Sequence, residues 1–205
     1  MDWSAPVSQY CERADASFWA EPLNAATNAA FLVTAAAAFL MWRRAGGRDW
    51  ASLALIIVAV AVGLGSFTFH TVATRGAALA DTIPIAIFIY GYLLLSLRRF
   101  LNLSLVGAGA IVIAYGAGAQ TLPLMFSPGA LNGSASYLPA LVAMIAVALS
   151  TGGATQRSLA WAAAIFTLSL TLRTIDRAAC APRMLTAAPT ATPNNTSRVA
   201  RPTTV

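Results

Sequence analysis

Residues 51–70 read ASLALIIVAVAVGLGSFTFH. The run from Ala51 to Phe69 carries no charge, and a helix crossing a ~30 Å hydrocarbon core needs about 20 such residues. Five comparable stretches flank it: Ala25–Met41, Thr82–Leu97, Leu101–Ala119, Ala135–Ser150 and Ser158–Leu172. The last two reach spanning length by borrowing neutral neighbours such as Gly133 and Ala154. The fold class that follows is all-α: a polytopic membrane helical bundle with six spans. Composition agrees. Hydrophobic residues make up 58% of the 205 and charged residues 10%, with mean hydropathy +0.69. A soluble domain carries about 25% charged residues, so a water-exposed fold and a disordered chain are both excluded. Three regions result: an N-terminal segment at 1–24, a bundle at 25–180, and a tail at 181–205 whose Pro, Thr and Ala content is disordered in character. The N-terminal segment is net acidic, unlike the basic start of a signal peptide.

The basic residues number thirteen and all are arginine. Arg43, Arg44, Arg48, Arg98, Arg99 and Arg157 fall in loops on one side of the six spans, with Asp49. Arg13, Arg75, Arg173 and Arg177 fall on the other, outnumbered by Asp2, Glu12, Asp15, Glu21, Asp81 and Asp176. Arginine-rich loops stay cytoplasmic, so the N-terminus is expected outside the cytoplasm. Topology then accounts for the formal charge of +6, and nucleic acid is not an expected partner. Cys11 and Cys180, the two cysteines, share the extracytoplasmic side, where they are either a bridge or two separate thiols.

Residues able to do chemistry gather near the ends of spans two and three. Ser66 and His70 are four apart, so a helix puts them on one face. Asp81 follows eleven residues after His70, in Asp81-Thr82-Ile83-Pro84. A helix running out and one running back bring all three to one depth, and ionisable residues at membrane depth are functional candidates. The competing reading places His70 and Asp81 at interfacial helix ends, with Asp81 capping span three. His70 is the only histidine, whereas a catalytic zinc keeps three protein ligands and a water. In the N-terminal segment, Glu12, Asp15 and Glu21 are an oxygen-rich group of the kind that holds calcium. They are equally a solvated segment anchored by Trp3, Phe18 and Trp19.

Together these stretches resemble the alkaline ceramidase family of membrane hydrolases. The resemblance spans about residues 9–180: Tyr10-Cys11-Glu12, Glu21-Pro22-Leu23-Asn24-Ala25-Ala26-Thr27-Asn28, Gly65-Ser66-Phe67-Thr68-Phe69-His70, Asp81, and Arg173-Thr174-Ile175-Asp176-Arg177-Ala178-Ala179-Cys180. The Ser-x-x-x-His pattern is shared with the related progestin and adiponectin receptors, and the Cys-Glu start favours ceramidases. The resemblance implies seven helices, an extracytoplasmic N-terminus, and hydrolysis of the amide bond of a ceramide-like lipid by zinc-bound water. It implies His70 as a zinc ligand, Asp81 as the acid/base and Ser66 as a polarising group. It further implies Glu12 and Glu21 as calcium ligands, with zinc and calcium as cofactors, and Cys11 paired with Cys180. Gln9 and Ala14 depart from the family's acid and asparagine. The largest departure is at 181–205, where the family has a seventh helix carrying two histidines four apart. The expectation is therefore an impaired hydrolase, lacking two zinc ligands, in which a frame change or truncation has replaced the last helix. Its alternatives are an inactive homologue and a transporter or receptor-like membrane protein.

Overall fold

In the computed structural model residues 2–126 and 130–186 are described, with Pro123, Ala130 and residues 177–186 described by their backbone alone. The elements are helices α1 (Pro22–Thr27), α2 (Ala29–Arg44), α3 (Trp50–Val72), α4 (Arg75–Phe100) and α5 (Leu105–Thr121), two short 3₁₀ segments (Leu122–Met125, Ala130–Tyr137), then α6 (Leu138–Leu149) and α7 (Gly153–Thr186). Among the described residues five stretches are long and apolar enough to cross a membrane: Pro22–Arg44, Trp50–Val72, Arg75–Phe100, Leu131–Leu149 and Gly153–Asp176. The chain is an all-α, multi-pass membrane bundle. The fourth expected span, α5, is a shorter apolar helix of 17 residues.

Local chemistry sets several helix ends, and two differ from expectation. Thr74 caps α4 by accepting from the Ala77 amide at 3.3 Å. The helix therefore starts at Arg75, and Asp81 lies almost two turns inside it rather than opening it. A threonine hydroxyl satisfying an orphan amide is what moved the boundary. At the other end of the bundle, Asp49 caps α3 through the Ser52 amide at 3.2 Å and pairs with Arg99 of α4. That pair places the α2–α3 and α4–α5 loops at one end, as the arginine pattern requires. The Arg99 guanidinium and the Ser52 hydroxyl hold the Asp49 carboxyl well below the ordinary carboxylate range. Of the expected tail, residues 181–186 continue α7 and the remainder lies outside the described residues.

The α3–α4 hairpin comes into close backbone contact at Gly65. A Cβ there would lie 1.9 Å from the Ala80 carbonyl oxygen and 3.3 Å from the Asp81 amide nitrogen. The reason is on the facing helix. Pro84 lies inside α4 and has no N–H to give the carbonyl four residues back, which is Ala80. In lipid a freed carbonyl must find a neighbour, and it faces the Cα–H of Gly65, a weak donor. Gly65 and Pro84 are thus a matched pair, and they fix the register that brings Ser66 against Asp81. Gly63 makes a similar, looser fit on α2, with its missing Cβ 3.0 Å from Phe31 Cβ.

Replacing Gly65 with alanine should cost about 1–3 kcal/mol, the usual range for overpacking. Gly109 and Gly118 have nothing within 4 Å of a built Cβ. Alanine there should be neutral or stabilise by up to ~1 kcal/mol through helix propensity. Unfolding of the three variants in one detergent measures the difference. Equal effects at all three would show that the Gly65 contact does not set the hairpin.

Candidate functional site

Residues 2–24 cover the end of the bundle where α3 meets α4. The Val7 amide donates to the Ala73 carbonyl at 2.8 Å, the Arg75 amide to Ala5 at 3.0 Å, and the Gly76 amide to Trp3 at 3.0 Å. The covering segment thus takes up backbone groups at the α3–α4 turn, where the first amides of a helix have no partner of their own.

Beneath it lies a buried polar cluster. Glu21 is 1% exposed. Its Oε2 meets His70 Nδ1 at 2.5 Å, and its Oε1 accepts from Arg13 Nε at 2.5 Å. A carboxylate held by a guanidinium is acceptor-only, so His70 must donate from Nδ1, which leaves Nε2 as the ring's one uncommitted nitrogen. Tyr10 lies over the imidazole with ring centroids 4.9 Å apart. Ser66 is buried on the same face of α3, one turn before His70.

Asp81 completes the constellation from α4. It lies against the Ser66 hydroxyl and within electrostatic reach of His70 and Arg173. Its Oδ1 is buried and has no partner among the described residues. The structure therefore brings Ser66, His70 and Asp81 to one place. Arg173 of α7 closes the far side: its guanidinium lies over the Tyr10 ring at 5.3 Å and the Tyr137 ring at 5.6 Å and donates to the Tyr10 hydroxyl. Burial pushes the Tyr10 phenol above its ordinary value, with Arg173 opposing the shift.

The two acids assigned to calcium have other employment. Glu12 accepts from the Leu23 amide at 2.6 Å and the Asn24 amide at 2.9 Å, so it supplies acceptors for the first two N–H donors of α1, Pro22 having none. Glu21 is shared by Arg13 and His70. Both carboxylates are thus taken by protein donors, and the pair does not fit calcium. Cys11 is disulfide-bonded, and its amide donates to Asp176 Oδ2 of α7 at 3.0 Å. Cys180, its expected partner, lies one helical turn beyond Asp176, and its side chain lies outside the described residues.

The donor set also decides how zinc fits. His70 Nε2 and Asp81 are two donors, and no group of three or more His, Cys, Asp or Glu suited to a metal occurs among the described residues. A three-ligand catalytic zinc does not fit this set. No protein-family model, no curated protein and no solved structure matches the chain.

Three residues of the cluster were not read as functional from the sequence. Arg13 reads as one more charge in an acidic segment, and Tyr10 and Arg173 as parts of motifs. Their signal was present but weak: a single arginine among four carboxylates, and an aromatic next to Cys11. With only one histidine in the chain, selective ¹⁵N-histidine labelling reports one imidazole. At neutral pH it should show a proton on Nδ1, and Glu21→Ala should lose that signature. Removing Glu21 should also cost about 3–5 kcal/mol, because Arg13 is left buried without its partner. A neutral ring protonated at Nε2 alone would overturn the assignment.

Proposed function

We propose that the chain is a membrane protein of the alkaline ceramidase type whose amide-hydrolysing centre is impaired. It holds an amide-bearing, ceramide-like lipid without the donors that zinc-dependent cleavage requires. The observation that carries this reading is the Ser66–His70–Asp81 constellation, gathered under a covering segment at one end of a membrane bundle. In it the buried, unpartnered Asp81 Oδ1 is the acceptor for an amide N–H or a hydroxyl of the lipid head. The Ser66 hydroxyl orients that carboxyl, and Glu21 fixes the His70 ring through Nδ1, which leaves Nε2 as the nitrogen that could meet the lipid head. An open apolar groove of about 520 Å³ runs between α3 and α4, lined in part by Leu64, Gly65, Ala80 and Pro84. Its lining lies one residue along each helix from Ser66 and Asp81, and it suits an acyl chain entering from the bilayer. In this reading the N-terminal segment and the site face away from the cytoplasm, consistent with the arginine-rich loops at the opposite end.

Chain purified in detergent should contain far less than one zinc per molecule and should not cleave a fluorescent ceramide above the level of an Asp81→Asn variant. It should still bind the ceramide analogue, and Asp81→Asn should weaken that binding by about tenfold, as a hydrogen bond to a charged acceptor (~1.5–3 kcal/mol) becomes one to a neutral amide (~0.5–1.5 kcal/mol). Stoichiometric zinc that disappears in His70→Ala would replace this reading with an intact enzyme. Ceramide binding unaffected by Asp81→Asn would remove the lipid site.

A further inference from the structure

The buried cation beneath the N-terminal segment belongs to the chain itself. The Arg13 side chain is 6% exposed, and its guanidinium faces four oxygens from three parts of the fold. Nε donates to Glu21 Oε1 at 2.5 Å, and Nη2 to the His70 carbonyl at 2.8 Å. Nη1 donates to the Asp15 and Ser17 carbonyls at 3.3 and 3.4 Å. Each oxygen is positioned for a cation by its own segment. The His70 carbonyl is among the last of α3, where a helix has unsatisfied acceptors and a negative dipole end. The Asp15 carboxylate takes the Ser17 amide at 2.8 Å, an Asx turn that points both carbonyls of that turn the same way. Glu21 supplies the compensating charge.

We infer that Arg13 is the resident cation of this oxygen cage, filling with a guanidinium the role that the acidic composition of residues 12–21 suggests for calcium, so that the covering segment closes over the site without a metal. The ligand count supports a guanidinium over a metal. Calcium takes 6–8 oxygens, and the remaining acid within reach in sequence, Glu12, is committed to two α1 amides. Four oxygens suit a planar fork with five N–H donors. The consequence reaches the site: Arg13 holds the charge of Glu21, and Glu21 orients His70. Arg13 is therefore a positioning residue, and its action is independent of calcium concentration.

The test uses the full chain in detergent and does not depend on lipid binding or hydrolysis. Thermal unfolding of wild type should be unchanged by millimolar calcium or by a chelator. A transition that rises saturably with calcium, or falls with chelator, overturns the inference. Arg13→Ala should unfold at lower temperature and regain more than half of the loss in millimolar guanidinium chloride, but not in sodium chloride of equal concentration. A wild-type melting temperature in that variant, or no recovery by guanidinium, also overturns it. Arg13→Lys keeps the charge and loses the fork, so it carries the test where Arg13→Ala does not fold. It should melt below wild type and shift the His70 Nδ1 proton resonance, and a lysine variant matching wild type in both readouts counts against the cage.

Discussion

The carboxylate of Glu21 is the constraint on which the covered end of the bundle depends. Burying a charge in protein is costly unless it is paired and hydrogen-bonded. Glu21 meets that requirement with two cationic or donor groups, Arg13 on one oxygen and His70 on the other. Each belongs to a different part of the fold, so satisfying one carboxylate forces three segments together. The N-terminal segment is drawn down by Arg13, α1 begins at the residue after Glu21, and α3 is held by its last turn. The orientation of the single imidazole is a by-product of the same requirement.

A second constraint comes from lipid rather than charge. In a bilayer no water is present to take up a broken helix bond, so Pro84 is tolerated only with a neighbour for the Ala80 carbonyl. Gly65 is that neighbour. This contact lies one residue from Ser66 and one from Asp81 along their helices, which is why a hydroxyl and a carboxyl meet inside an apolar hairpin. The backbone defect and the polar site are therefore the same feature, seen once from the main chain and once from the side chains.

The fold was largely legible in the sequence because membrane spans are written in hydropathy, and the six apolar stretches fall mostly on helices, though residues 101–104 of the fourth precede α5. Their ends were less legible. Hydropathy placed the start of the third span at Thr82, where the charge of Asp81 stops the apolar run, whereas a Thr74 cap starts the helix at Arg75. Spacing placed Ser66, His70 and Asp81 near one another, as the structure does, since four residues on a helix and a short reversal leave little freedom. It was silent on how Arg13 and Glu21 meet His70, because those contacts join an irregular segment to a helix end 57 and 49 residues away. No local period records such a contact. The acids at 12 and 21 were visible as oxygen donors, but their partners, two amides for one and a guanidinium and an imidazole for the other, are set by tertiary structure alone.

The two ends of the bundle hold ion pairs of different worth, and the contrast says where function and stability are concentrated. At the arginine-rich end the Arg99 and Asp49 side chains are 42% and 38% exposed, so solvent screens their attraction and the pair contributes little beyond orienting a loop. At the covered end Arg13 and Glu21 are 6% and 2% exposed. There the pair is shielded, and removing either member leaves the other charge buried. Well-packed apolar residues of similar volume could fill the same space at little cost in stability, although breaking the pair by removing one member is destabilising. Its presence at the one end that also carries Ser66, His70 and Asp81 argues that the pair is kept to hold those three side chains in a single arrangement. At the other end Arg99 joins two loops through two hydrogen bonds to Asp49, a contact open to solvent.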